Sequence, residues 1–292
     1  SVIGSYHAGT HSGAPVTMTL SPDEDTAYVS YGDHVDFIDI SNPADPIEIG
    51  SGLIDSHSFG DWNDIVISAN GETAYLTDAD GFLDIYDISN PTNATEIGRF
   101  YNPPGTPQGV KLSNDENTAY LSVYLLYGHY PRTGLQIVDV SDKANPLLLG
   151  NHHAALPSDL EISTDESTAY ILQTKYLDIV NISDPANMQK IGEFFGNIYG
   201  NYKELQLSSD GTIAYLLAED VLQIINIHDP TNPTLISSLP ASYFKNEGDA
   251  PTLASLTIPS DEKIAYVAHN SWGNGGSYSF SAINITDPTN PF

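Results

Sequence analysis

The sequence predicts an all-β fold, a six-bladed β-propeller with four antiparallel strands in each blade, and three observations lead there. An Ala-Tyr pair returns six times, at Ala27-Tyr28, Ala74-Tyr75, Ala119-Tyr120, Ala169-Tyr170, Ala214-Tyr215 and Ala265-Tyr266, each 45 to 51 residues after the last. That period suits a four-stranded blade and is too long for most helical repeats. Downstream of each pair a strand ends in an Asp/Asn-Ile/Val-Ser-like phrase and runs into a turn, with Pro43, Pro91, Pro185, Pro230 and Pro288 at one fixed place and Lys143 in the third unit. Proline there pushes the preceding residue out of the α region and ends the strand. No stretch keeps a helical period for three turns.

One unit shows the elements in order. Strand A reads Asn63-Asp64-Ile65-Val66-Ile67-Ser68, and the Ala-Asn-Gly-Glu turn follows it. Strand B is Thr73-Ala74-Tyr75-Leu76-Thr77, strand C is Leu83-Asp84-Ile85-Tyr86-Asp87-Ile88, and after Ser-Asn-Pro-Thr-Asn strand D begins at Thr95. Each run is rich in β-branched and aromatic residues with alternation of period two, and each break carries turn formers. The repeated Ala marks close approach of neighbouring blades, and the repeated Tyr fills the wider gap on the opposite side.

The last unit stops after Thr286-Asp287-Pro288-Thr289-Asn290-Pro291-Phe292, before a D strand, while Ser1-Val2-Ile3-Gly4-Ser5-Tyr6 resembles the D strands Glu48-Ile49-Gly50 and Glu96-Ile97-Gly98. Residues 1–292 therefore read as a single propeller in which residues 1–6 form the outer strand of the blade completed by 254–292, which closes the ring and removes an open edge. The same strand given to a neighbouring molecule would make a polymer instead.

Lys and Arg number 9 against 38 Asp and Glu, a formal charge of -29. This field repels phosphates, so nucleic acid and anionic membrane are excluded as partners. A saline habitat and divalent-cation binding are the two explanations for the acidity. There is no cysteine, hence no thiol or disulfide chemistry.

Leu135-Gln136-Ile137-Val138-Asp139-Val140-Ser141-Asp142, Leu177-Asp178-Ile179-Val180-Asn181-Ile182-Ser183-Asp184-Pro185 and Leu222-Gln223-Ile224-Ile225-Asn226-Ile227-His228-Asp229-Pro230 closely resemble the LVIVD repeat, and the likeness extends over nearly the whole chain. The resemblance implies a β-propeller from bacterial or archaeal secreted and cell-surface proteins, a family with no generally assigned activity. It carries no catalytic residue to transfer, so it speaks to fold far more than to function.

In an up-and-down blade the A-to-B and C-to-D turns share one end, and the B-to-C and D-to-A loops share the other. The first set is short, uniform and acidic. The second is long and varied, with two expanded B-to-C connections at 123–134 and 269–278 in blades three and six. All histidines except His228 and both tryptophans fall on or near this second face. The expected function is a non-enzymatic, secreted or cell-surface binding or adhesion module that recognises glycan or protein, with Trp62, Tyr127, Tyr130, Trp272 and Tyr278 as ligand-binding aromatics. Alternatives are a Ca²⁺-dependent hydrolase or lactonase-like propeller with an axial metal on Asp64, Asp159 and Glu204, or a structural subunit that polymerises by strand donation. The three carboxylates come from aligning the A strands, which places Thr17, Asp64, Gly109, Asp159, Glu204 and Ser255 in equivalent positions. His7, His11, His57, His152 and His153 are a weaker transition-metal set. No phosphate loop, nucleophile elbow or His-Glu-x-x-His motif occurs.

Overall fold

The computed structural model describes residues 3–7, 17–31, 34–51, 62–101, 105–124, 134–154, 157–244, 251–271 and 277–292, excepting the side chains of 271, 277 and 278. The fold is all-β, in six blade sheets, and it divides into two compact units of three blades each, Ser1–Asn151 and His152–Phe292.

In the first unit, blade 1 is β1 (Thr17–Leu20), β2 (Thr26–Ser30), β3 (Val35–Asp39) and β4 (Ile47–Ser51). Blade 2 is β5 (Trp62–Ile67), β6 (Thr73–Asp78), β7 (Phe82–Asp87) and β8 (Thr95–Tyr101). Blade 3 is β9 (Thr106–Leu112), β10 (Thr118–Tyr124), β11 (Leu135–Asp139) and β12 (Leu147–His152). Each sheet keeps chain order, so every strand lies beside its sequence neighbour, antiparallel to it as β1 is to β2, β6 to β7 and β10 to β11. The first strands lie innermost, with β5 packed against both β1 and β9.

The second unit repeats this plan. Blade 4 is β13 (Pro157–Ile162), β14 (Thr168–Gln173), β15 (Tyr176–Asn181) and β16 (Gln189–Phe195); blade 5 is β17 (Tyr202–Leu207), β18 (Ile213–Ala218), β19 (Val221–Asn226) and β20 (Thr234–Pro240). Blade 6 has β21 (Thr252–Thr257), β22 (Ile264–Ser271) and β23 (Ser277–Asn284), a three-stranded sheet among the described residues. Short 3₁₀ turns at Pro185–Asn187 and Ala241–Phe244 are the only helical segments among the described residues.

The middle strands β6, β10, β14 and β18 are buried on both sides, whereas β22 of blade 6 alternates between buried and exposed residues. Tyr28, Tyr75, Tyr120, Tyr170 and Tyr215 of the repeated pair are all buried, as expected from their packing role, but Tyr266 of the sixth pair is 38 % exposed, because its face of β22 is not covered among the described residues. Tyr75 packs with Leu121 and Val138 of the next blade, and Tyr215 with Leu256 and Val267. Full burial of such side chains stabilises each seam by about 1.5–3 kcal/mol apiece.

Outer strands meet the next blade through backbone. A Cβ on Gly50 would fall 2.1 Å from the Pro91 carbonyl oxygen, one on Gly98 1.6 Å from that of Lys143, and one on Gly192 1.9 Å from that of Pro230. Only glycine permits this approach. Gly4 makes the same contact, 2.1 Å from the Pro43 oxygen, so the N-terminal segment lies on blade 1 as an outer strand lies on the blade after it. Tyr6 adds hydrogen bonds from its hydroxyl to Glu48 Oε2 at 2.9 Å and Asp36 Oδ2 at 3.1 Å.

Candidate functional site

The strand registers bear out the alignment of the inner carboxylates: Asp64 faces Thr77, Asp159 faces Leu172 and Glu204 faces Leu217, each three residues before the partner of the repeated alanine. A β-bulge directly precedes each one and re-aims its side chain. The aim is along the seam. Asp64 Oδ1 accepts the Ile65 N–H at 2.9 Å and Oδ2 accepts the Val110 N–H of blade 3 at 3.0 Å. Asp159 does the same with Leu160 and with Leu205 of blade 5, both at 2.8 Å, and Glu204 Oε2 accepts the Leu256 N–H of blade 6 at 2.7 Å. Burial pushes the Asp64 carboxyl above its ordinary value, while the Val110 and Ile65 N–H groups and the Lys111 charge pull it back.

These contacts occupy the carboxylates that the sequence offers to an axial metal. Asp64, Asp159 and Glu204 point their lone pairs at backbone donors of the neighbouring strand, and no cluster of three or more His, Asp or Glu suited to a metal forms among the described residues. Their chemistry is that of clasps between blades. Asn63 Nδ2 to the Pro107 carbonyl and Gln206 to Leu256 and Ile258 extend the same stitching.

Trp62 is corrected. It is 1 % exposed and packs with Tyr28, Phe37 and Leu76, edge-on to Tyr86 at 6.4 Å. A sugar or peptide platform needs an open ring face, and this ring has none. Tyr202 and Leu253 hold the equivalent place before the bulge in blades 5 and 6, both buried, so the position is a core plug. Tyr127, Tyr130 and Trp272 lie outside the described residues; Tyr278 is placed on β23 opposite Asn270, its side chain outside them.

The loop-bearing ends of the blades display other aromatics. In blade 4, Tyr176 pairs across the sheet with Phe195, ring centroids 5.2 Å apart, with 40 % and 54 % of their surfaces exposed. The loop that follows carries Tyr199, 99 % exposed. Its backbone is fixed from two sides. Asp220 accepts the Tyr199 and Gly200 N–H groups, both at 3.1 Å, and Lys175 Nζ donates to the carbonyls of Ile198, Tyr199 and Gly200. In blade 2 the matching cross-strand pair is Phe82 and Tyr101, stacked at 4.5 Å, with the Arg99 guanidinium 4.6 Å from the Phe82 ring centre. The loop holding Tyr199 stands out in the sequence as one of the long, varied connections, but Tyr199 itself does not. The flanking Gly196 and Gly200, which mark a tightly turned tip, are the signal that could have found it.

Comparison with known proteins identifies the repeat. The LVIVD repeat model matches residues 17–53, 60–102, 131–153 and 161–194. The chain carries LVIVD repeats. No curated protein matches it. Among solved structures it is similar to Kuenenia stuttgartiensis hydrazine synthase, with 16 % identity over 96 % of this chain and 80 % of that one, TM-score 0.69. A protein from Lactobacillus plantarum matches at 12 % identity over 91 % and 81 %, TM-score 0.70. The periplasmic gluconolactonase of Pseudomonas aeruginosa matches at 11 % identity over 97 % and 89 %, TM-score 0.66. At such identities the likeness is one of fold, the β-propeller.

The polar second position of the LVIVD phrase has a use that the motif alone does not disclose. Asp36, Asp84, Gln136, Asp178 and Gln223 occupy it, all buried. Asp84 pairs with Arg99, Asp178 with Lys190 at 2.8 Å, Asp36 with the Tyr6 hydroxyl, and Gln223 with the Tyr202 hydroxyl. A buried carboxylate left alone would be very costly, so these repeats carry their own local partners.

Proposed function

We propose that the protein is a non-enzymatic binding or adhesion module, secreted or held at a cell surface, whose loop-bearing blade ends engage a glycan or a surface protein. The observation that carries this reading is Tyr199. A large ring 99 % exposed is uncommon on a surface, and the loop that presents it is fixed by Lys175 and Asp220. Such preorganisation lowers the entropy lost on binding. Tyr176 and Phe195 extend the aromatic patch on the adjoining strands. The inner carboxylates are engaged with backbone, which favours recognition over hydrolysis, and the family resemblance and the -29 charge support an extracellular setting. Tyr127, Tyr130, Trp272 and Tyr278, from the two expanded connections, are further candidate ligand-binding aromatics in this reading.

A glycan array and a surface-protein pull-down on the parent, Tyr199→Ala, the Tyr176→Ala/Phe195→Ala pair and Trp272→Ala test it. Truncating an aromatic anchor costs about 2 kcal/mol or more, so affinity is expected to fall at least tenfold with Tyr199→Ala. Binding equal to the parent in all three variants would overturn the reading.

A further inference from the structure

At the opposite end of the blades the short A-to-B turns differ from one another at one position. Glu24, Glu116, Glu166 and Glu262 occupy it with φ of 60°, 57°, 57° and 49°, the left-handed region that disfavours a side chain by roughly 1–2 kcal/mol. Two of these glutamates show a compensation. Glu116 reaches back across its seam to accept the Ala69 N–H of blade 2, and Glu262 accepts the Ser209 N–H of blade 5. In blades 2 and 5 the position is Gly71 and Gly211, with φ of 73° and 67°.

A cleft opens where each glycine stands. Between blades 1 and 2 it measures about 330 Å³ and touches Gly71; between blades 4 and 5 it measures about 350 Å³ and touches Gly211. A Cβ on Gly71 would find only Pro22 Cδ, at 3.9 Å, and one on Gly211 nothing within 4 Å. The two clefts occupy matching seams, one in each unit, and are built alike. Half-buried Pro91, with the small exposed parts of Tyr28 and Ile88, forms the apolar part of one, and half-buried Leu207 and Ile258, with the small exposed part of Tyr170, that of the other. Hydroxyls, amides and one carboxylate make the polar part, Ser21, Asn70 and Asp23 in one and Ser163, Gln206 and Glu161 in the other.

We propose that each glycine cleft is a binding site for a neutral sugar ring, either free or at the end of a glycan chain. A pyranose offers apolar C–H faces and a hydroxyl edge, which matches this division of the walls. No Lys, Arg or His lines either cleft, and with a formal charge of -29 anionic ligands are disfavoured. The volumes sit at the low end of the about 300–1,000 Å³ typical of small-molecule sites, room for one or two rings. The proposal does not depend on the loop-end reading, because the residues and the blade ends are different.

Glutamate at this backbone conformation already occurs in four turns of the chain, so Gly71→Glu and Gly211→Glu should fold while filling the clefts. Titration of the full chain with glucose, galactose, mannose, N-acetylglucosamine and their β-linked tetrasaccharides, followed by saturation-transfer NMR and calorimetry, tests the proposal. Two sites per chain are expected in the parent, one in either single variant, and at least a tenfold loss of affinity in the double variant with its melting temperature retained. Gly71→Asn/Gly211→Asn, shorter at the same φ, should keep binding and serves if the glutamates do not fold. Binding of tetrasaccharides alone assigns the site to chain ends, and binding of monosaccharides assigns it to free sugar. No binding to any sugar, or binding unchanged in the Glu double variant, overturns the proposal; loss with Tyr199→Ala alone also overturns it and assigns the sugar to the loop-bearing ends.

Discussion

Asp64 shows how the environment sets the meaning of a residue. As one of three acidic positions nearest the axis, it suggests a cation; in the fold its two oxygens take two backbone N–H groups, one of them 46 residues away on Val110. The equivalence of Asp64, Asp159 and Glu204 is legible in the sequence, since register follows from the repeat, but nothing there reveals the direction imposed by the bulge before each. Removing the acceptor leaves buried donors unmatched, which costs about 1–3 kcal/mol. Asp64→Ala and Asp159→Ala should each lower stability by that amount in denaturant titrations, and equally in calcium and in EDTA. A calcium-dependent difference between parent and variant would restore the cation assignment. Trp62 carries the same lesson in reverse, because a tryptophan near a loop suggests a surface anchor, whereas its counterparts Tyr202 and Leu253 mark a core position.

Among elements, the acidic turns do more than separate strands. Ser21, Ser113, Ser163 and Ser208 each donate a hydroxyl to the aspartate two residues on, and each accepts the N–H five residues on. The hydroxyls, with the backbone N–H groups behind them, hold Asp23, Asp115, Asp165 and Asp210 below the usual carboxylate range. A folded-state value lower than the unfolded one, near 3.9, means that the folded chain binds fewer protons around that pH. The stabilisation is present above the unfolded value and is lost as pH falls through the folded one. The Ser113→Ala/Ser163→Ala/Ser208→Ala variant should therefore melt below the parent at pH 5 and above, and the gap should narrow as pH drops below about 4. A gap that stays constant down to pH 2 would show the serines acting through packing alone. Strand positions and turn types were legible because they depend on alternation and local turn chemistry. The glutamate clasps and glycine clefts were not, since a Glu or a Gly at one turn position does not reveal what lies across the seam.

For the whole molecule, six repeats and the propeller fold could be read from spacing alone, whereas the end of the chain asks for an experiment. Gly4 and Tyr6 fix the first residues onto blade 1, and the closure expected from the sequence needs the same segment to run along β23. Deleting residues 1–6 should lower the melting temperature by several degrees, since about 2 kcal/mol of hydrogen bonding and packing is removed. The deleted protein should also associate more readily than the parent on sedimentation, through the strand edge left uncovered. An unchanged melt and oligomeric state would rule closure out, and an intact parent that is already polymeric would indicate donation between molecules. The joint between rims has a further consequence. Gly50, Gly98 and Gly192 abut a carbonyl oxygen of the next blade, and in blade 5 Ser237 donates to the Pro288 carbonyl at 2.7 Å in the corresponding place. Every residue type has that oxygen, so the joint does not read its neighbour's identity. At this joint a duplicated or exchanged repeat needs no matched substitution in the blade it lands beside, so the demand for matching falls on the side chains packed deeper in the seam.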